Sequence, residues 1–259
     1  MRSKHGVNSL HMSTSIDDQP QHIQSQSLQR FLALSRLHRG ESVDAYDDVA
    51  GAYDVFAKIW DGYVAAPALH YFKELIRLRI KPGALVLDAG AGTGLRTQAL
   101  LQNSEPARVV ALDASRQMLS AAAGKIHDAR VIFQEGDLTR LPFAPDTFDA
   151  VICTWAIETL EYPREAVREF VRVIRPGGVV LYAFCSLPAG RLGEVSAKIL
   201  ERVASNDGPL SHWLPQSEWP FHECAFSSLK QFSGGLTTVA TVGKCCPISD
   251  QVLPCRLDS

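Results

Sequence analysis

The segment Val86-Leu87-Asp88-Ala89-Gly90-Ala91-Gly92-Thr93-Gly94-Leu95 packs three glycines into five residues where an apolar run gives way to a helical pattern. Gly90 and Gly92 permit a tight turn and a close approach of backbone to a ligand. N–H groups at the start of the following helix can then hold a polar or anionic group. Asp113 ends the next apolar run, where a carboxylate accepts hydrogen bonds from vicinal ribose hydroxyls. Asp137, within Gln134-Glu135-Gly136-Asp137-Leu138, follows a third run and can accept from an adenine amino group. Met118 serves either as a contact on the adenine face or as a core filler, the commoner use of methionine. Asp88 is either ligand-facing or an acid of the helix-capping kind. The chemistry this spacing points to is capture of a small molecule that carries an adenosine.

Those residues need a scaffold, and the pattern supplies one. Ala84–Ala89, Arg108–Asp113, Val131–Gln134, Phe148–Thr154 and Val179–Phe184 read as apolar strands. Leu95–Leu101, Arg116–Ala123 and Arg164–Val173 read as helices between them, the last with an amphipathic stripe at Ala166, Val167, Phe170, Val171 and Ile174. Arg175-Pro176-Gly177-Gly178 is expected as a turn. Ala225–Phe232 and Leu236–Lys244 are expected to pair as antiparallel strands across Ser233-Gly234-Gly235. Strands alternating with helices imply βαβ units and a parallel sheet. Right-handed crossovers make it doubly wound, with ligands beyond the carboxyl ends of its strands. The expected fold is thus α/β: a Rossmann-like doubly wound sheet of seven strands, mostly parallel, with an antiparallel C-terminal strand.

Upstream, helical patterns cover Ser27–His38, Tyr46 to about Trp60, and Pro67–Arg79; downstream, Arg191–Ala204 is expected as a helix and Asn206–Pro220 as a loop. The expected division is a disordered tail over 1–26, a helical cap over 27–80, the ligand-binding domain over 81–246 and a C-terminal tail over 247–259. The tail expectation rests on its Ser, Gln, His and Asp content. Its first sixteen residues lack acids and faintly resemble an organelle transit peptide; a disordered tail or a start at Met12 is the preferred reading.

Of the 259 residues, 46% are hydrophobic and 21% charged, an ordinary globular composition. The formal net charge of -2 argues against a nucleic-acid partner, which would favour a basic excess. No apolar run approaches the ~20 residues of a bilayer span. The six cysteines form no CxxC pair, and a reduced, cytoplasmic protein is expected. Cys224, Cys245, Cys246 and Cys255 suggest a soft-metal or thiophilic ligand, but adjacent residues of a strand point to opposite faces, which disfavours that use of Cys245 and Cys246. No metal site is expected.

Four stretches, VLDAGAGTG (86–94), VVALDAS (109–115), FQEGDLTRLPFAPDTFDAV (133–151) and REFVRVIRPGGVV (168–180), resemble in order the class I methyltransferases that use S-adenosylmethionine (SAM). The resemblance is closest to the subgroup containing the ubiquinone and menaquinone C-methyltransferases. Tyr46-Asp47, Ala50 and Tyr53-Asp54 resemble the segment that closes over SAM in that subgroup. The resemblance implies that Asp88 and the loop Gly90, Ala91, Gly92 and Gly94 meet the methionine end of SAM. It implies that Asp113 with Ala114 holds the ribose, Asp137 and Leu138 the adenine, and that Cys153 and Trp155 line the junction with the acceptor. Many relatives carry a His near Glu158-Thr159-Leu160, where this chain has none.

The resemblance implies transfer of a methyl group to a small-molecule or lipid-like acceptor, with peripheral membrane contact compatible and the oligomeric state open. Alignment of the two reactants supplies much of such a reaction's rate, so no catalytic triad is required. For an acidic acceptor, the candidate bases are Glu158, Tyr53 and His222. Tyr46 is a candidate cofactor contact, although it and Tyr53 also suit a helical core face. Two other readings remain open. One is an NAD-dependent oxidoreductase, whose fingerprint needs a third glycine where Leu95 stands. The other is a non-catalytic SAM- or nucleotide-binding partner protein. His212, Trp213, Trp219 and His222 lie in a long loop that suits either a binding lid or an anchor to the core.

Overall fold

The computed structural model describes residues 46–47, 50, 53–188, 190, 195, 213–220 and 226–244. The expected tails, the helix at Ser27–His38, that at Arg191–Ala204 except Val195, residues His212 and His222, and Cys224, Cys245, Cys246 and Cys255 lie outside those residues.

Helices α1 (Tyr53–Tyr63) and α2 (Ala66–Arg79) precede an alternating series: β1 (Leu85–Ala89), α3 (Leu95–Asn103), β2 (Arg108–Asp113), α4 (Arg116–Ala123), β3 (Val131–Glu135), β4 (Phe148–Thr154), α5 (Pro163–Val173) and β5 (Ile174–Cys185). Strands β6 (Phe226–Phe232) and β7 (Thr237–Gly243) close the sheet. The spatial order is β3-β2-β1-β4-β5-β7-β6. The first five strands pair in parallel, whereas β7 is antiparallel to both β5 and β6. The seven-stranded, mostly parallel α/β sheet matches the expected class. Its order reverses between β1 and β4, so the crevice at their carboxyl ends is where a ligand belongs.

The local causes are visible in the sequence. Pro163 opens α5, where its missing N–H costs nothing. Glu165 in the first turn and Arg172 in the last complement the helix dipole. Ser115 caps α4 by accepting from Met118 N–H at 3.0 Å. The α5 stripe of Ala166, Val167, Phe170 and Val171 is buried on one face of the sheet with Leu87, Val151 and Tyr182. On the other face, Ala68, Phe72, Leu75 and Ile76 of α2 pack with Val86, Ile152 and Leu181. Truncating a fully buried ring such as Phe72 or Phe170 costs about 3–5 kcal/mol. Cys153 and Cys185 are free, buried thiols within strands.

The fold corrects one sequence expectation. Arg175–Gly178 belongs to the start of β5 instead of standing apart as a turn. Ile174 pairs with Phe148, the register shifts before Ala150, and Gly177 N–H donates to Lys244 across the sheet. Gly178 lies so close to Asp149 and Arg175 carbonyls that a Cβ would sit 2.9 and 2.8 Å from them. Pro and Gly here irregularise a strand where two chains approach closely, a use that sequence punctuation alone does not separate from a turn.

Candidate functional site

A cavity of about 580 Å³ opens at the carboxyl ends of β1, β2 and β4, a size typical of small-molecule sites. Its floor is the loop between β1 and α3. Gly90 adopts φ +76, and a Cβ there would lie 2.5 Å from the Ala156 Cβ. The absence of a side chain therefore lets the β4 loop close onto the glycine loop. Gly90 and Ala91 N–H groups both donate to Leu112 O, at 2.8 and 3.0 Å. No side chain caps α3, so the N–H groups of its first turn have no side-chain capping partner. Thr93, Leu95 and Arg96 line the cavity beside them.

Asp113 ties the two nucleotide-side loops together. Its Oδ2 accepts from Gly92 N–H at 2.8 Å and its Oδ1 from Ser115 N–H at 2.9 Å. Burial raises its pKa, against the lowering effect of these bonds. Each carboxylate oxygen retains capacity to accept a further hydrogen bond. Ala114, Met118, Asp137 and Leu138 line the same end. Asp137 Oδ1 accepts from both the N–H and the hydroxyl of Thr139, at 2.8 Å each.

The opposite wall is aromatic. Tyr46, Tyr53, Trp60, Trp155 and Tyr162 all line the cavity. Tyr46 and Tyr53 meet edge to face with ring centroids 6.1 Å apart. Burial pushes both phenols up, so they keep their protons at neutral pH and act as donors. Tyr53 is consequently ill suited to the role of base.

Several candidate residues sit behind this wall instead of in it. Asp88 is 1% exposed and accepts from Thr97 Oγ1 at 2.6 Å; burial pushes its carboxyl up to about 6. Gly94 faces α4 and the segment after it, where a Cβ would lie 3.1 Å from Ala122 Cβ and 2.6 Å from Ile126 Cδ1, so its bareness serves packing. Cys153 is wholly buried and its thiol pKa is raised well above normal, first by burial. Strand alternation explains that position: Thr154, the next residue, lines the cavity, and Cys153 points to the other face. Glu158 is buried and accepts from Cys185 N–H at 3.2 Å, which ties it to β5 and away from the lining. Trp219 is likewise an anchor: it is buried against Phe184 and donates to Leu214 O at 3.1 Å.

The sequence reading named Tyr46-Asp47 and Tyr53-Asp54 through the resemblance but missed Trp60, Asp61 and Arg96. Tyr46-Asp47, Tyr53-Asp54 and Trp60-Asp61 repeat an aromatic–Asp pair every seven residues. The aromatics line the cavity, and the aspartates bond the loops and helices around it. Asp47 accepts from Ser115 Oγ. Asp54 accepts from Thr93 Oγ1 and pairs with Lys125 at 2.6 Å. Asp61 takes the Arg96 guanidinium on both oxygens at 2.7 Å. A seven-residue period keeps side chains on one face of a helix. That repeat was the available signal for Trp60, Asp61 and, through them, Arg96.

Comparison with known proteins bears on what occupies such a site. Residues 87–182 match the model of a methyltransferase domain. The chain is 36% identical over 188 residues to the demethylmenaquinone methyltransferase of Mycobacterium tuberculosis, covering 67% of this chain and 78% of that protein. It is 39% identical over 167 residues to the enzyme of the same name from Mycolicibacterium paratuberculosis, covering 61% of this chain and 70% of the other. A solved SAM-dependent methyltransferase from Mesorhizobium loti shares the fold at a TM-score of 0.55 and 16% identity, over 71% of this chain and 99% of that one.

Proposed function

We propose, from the premise that this chain belongs to the class I SAM-dependent methyltransferases, that its cavity holds SAM across the glycine loop and a flat, lipid-like acceptor against the aromatic wall. Membership of the family makes the chain an enzyme of methyl transfer and implies use of SAM. The oxidoreductase and non-catalytic readings give way to it. The observation that carries the site assignment is that one cavity joins Gly90, Gly92, Asp113 and Asp137 to Tyr46, Tyr53, Trp60 and Trp155.

The donor set suits the cofactor. Asp113 is fixed by two backbone N–H groups and has acceptor capacity left for ribose hydroxyls. Met118 and Leu138 offer an apolar slot for adenine, with Asp137 at its edge. The α3 start, which no side chain caps, and the Thr93 and Arg96 side chains beside it offer the methionine end polar partners. Asp88 supports this loop from behind through Thr97, and Cys153 packs beneath it. When bound, SAM supplies an electrophilic methyl group. The chain's own part is alignment and exclusion of water, with α1 closing the site through Asp54 and Asp61, and Asp47 ahead of it. Helices α1 and α2 act as its cap.

The relatives' name points to a demethylated quinol as acceptor, and the aromatic wall suits such a ring. No helix among the described residues is long and apolar enough to cross a membrane. The test is transfer of labelled methyl from SAM to demethylmenaquinol. Label recovered in the quinol fraction is expected; SAM binding with no transfer to that or any related ring would refute the acceptor assignment.

A further inference from the structure

Among the described residues, Arg96 is the only cation on a cavity lining that also carries the acids Asp61, Asp113, Asp137 and Glu161. It stands in the first turn of α3, two positions past Gly94. Asp61 of α1 takes it with both carboxylate oxygens 2.7 Å from one nitrogen, Nη2. The pair is partly buried, so water competes little for it. A guanidinium carries five N–H donors in a planar fork. Nε and Nη1 make no hydrogen bond among the described residues and are not closed off from solvent. The charge is felt on the cavity wall and behind its floor. Burial pushes the Tyr53 phenol up and Arg96 draws it down; burial pushes the Asp88 carboxyl up, and Thr97 and then Arg96 draw it down.

We propose that Arg96 binds the α-carboxylate at the methionine end of the cofactor, with Asp61 holding the guanidinium in place for it. The assignment deepens the methyltransferase reading of the cavity and rests on it. A carboxylate is matched by the planar fork of an arginine, and such charge-assisted bonds are the strong ones. The α3 start adds its dipole and its N–H groups, which no side chain caps, to the attraction for the same anion. Asp61 offsets the charge of Arg96 before a ligand arrives, so no cation waits unpaired in the cleft. The ligand then takes N–H groups that Asp61 leaves over, and the ion pair to α1 persists. Asp113 and Asp137, at the adenosine end, have no part in this contact.

5′-Methylthioadenosine keeps the adenosine and the thioether of S-adenosylhomocysteine and lacks its amino-acid end. Calorimetry on the full chain compares the two ligands in wild type, Arg96→Met and Arg96→Lys. The wild-type protein is expected to prefer S-adenosylhomocysteine by about tenfold or more, the worth of hydrogen bonds to a charged group. Arg96→Met keeps an unbranched stem without the N–H groups; the preference should fall about tenfold, with 5′-methylthioadenosine affinity within about twofold of wild type. An arginine that only tethers α1 would weaken both ligands alike and leave the preference unchanged, and that result overturns the proposal, as does a wild-type protein without preference. Should Arg96→Met fail to fold, Arg96→Lys decides, because it keeps the charge opposite Asp61 and loses the fork. Its preference should fall by about threefold or more; a preference equal to wild type overturns the assignment. A wild-type chain that binds no S-adenosylhomocysteine would overturn the proposal together with the cofactor reading, whereas binding with an unaltered preference in the variants overturns the proposal alone.

Discussion

Gly90→Ala probes the closest approach in the site, and its cost can be worked from geometry. At φ +76 an alanine pays about 1–2 kcal/mol for the left-handed conformation. Its Cβ would lie 2.5 Å from the Ala156 Cβ, well inside the ~3.5–4.0 Å optimum for two carbons. Overpacking of this kind adds about 1–3 kcal/mol. The next neighbours, Leu138 Cδ1 at 3.5 Å and Cys153 Sγ at 4.0 Å, are ordinary contacts, so the overlap belongs to Ala156. The total, about 2–5 kcal/mol, is a large share of a typical domain's stability. Ala156→Gly should relieve the overlap and leave the dihedral strain. Denaturant unfolding of wild type, both single variants and the double variant gives the cycle, with a favourable coupling of about 1–3 kcal/mol expected. A Gly90→Ala variant within about 0.5 kcal/mol of wild type, or no recovery in the double variant, would refute the close-approach argument.

Three other perturbations follow from the site. Asp113→Ala should weaken S-adenosylhomocysteine by about 1.5–3 kcal/mol, the worth of hydrogen bonds to a charged group; an unchanged calorimetric dissociation constant would remove its ribose role. Asp61→Ala strips Arg96 of a partly buried bidentate partner and should release α1 by about 1–3 kcal/mol, read as faster amide hydrogen exchange in α1; unaltered protection would show that the helix is held otherwise. Asp88 gives a pH signature because burial raises its pKa to about 6 in the folded chain. Its contribution is full below the unfolded value near ~4. It is lost as pH rises to about 6, because the unfolded chain releases the proton first. Stability should therefore fall across that window, and Asp88→Asn should flatten the fall; equal slopes in wild type and variant would contradict the assignment.

The sheet was legible because five near-continuous apolar runs are bounded by strong turn signals, as expected of strands covered on both faces. The antiparallel end was legible from Ser233-Gly234-Gly235 between two strand patterns. The same punctuation misled at Arg175–Gly178, since Pro and Gly mark a strand irregularity as readily as a turn. In the site, the glycine loop and the acids ending β2 and following β3 stand out because the chemistry demands those residue types at those places. Orientation was harder to read. Cys153 and Thr154 are neighbours in β4, yet only the second reaches the cavity, and Gly94 is bare for α4 and not for a ligand. The Asp61–Arg96 pair spans 35 positions, a distance over which sequence spacing gives no guide to contact. The aromatic–Asp repeat was nevertheless present as a period and marks the face that closes the site.

The most direct test of the central claim is calorimetric titration of the full chain with SAM, S-adenosylhomocysteine and NAD in parallel. Micromolar binding of the first two, with no heat from NAD, is the expected result. Binding of NAD in place of SAM would contradict it and return the glycine loop to dehydrogenase chemistry.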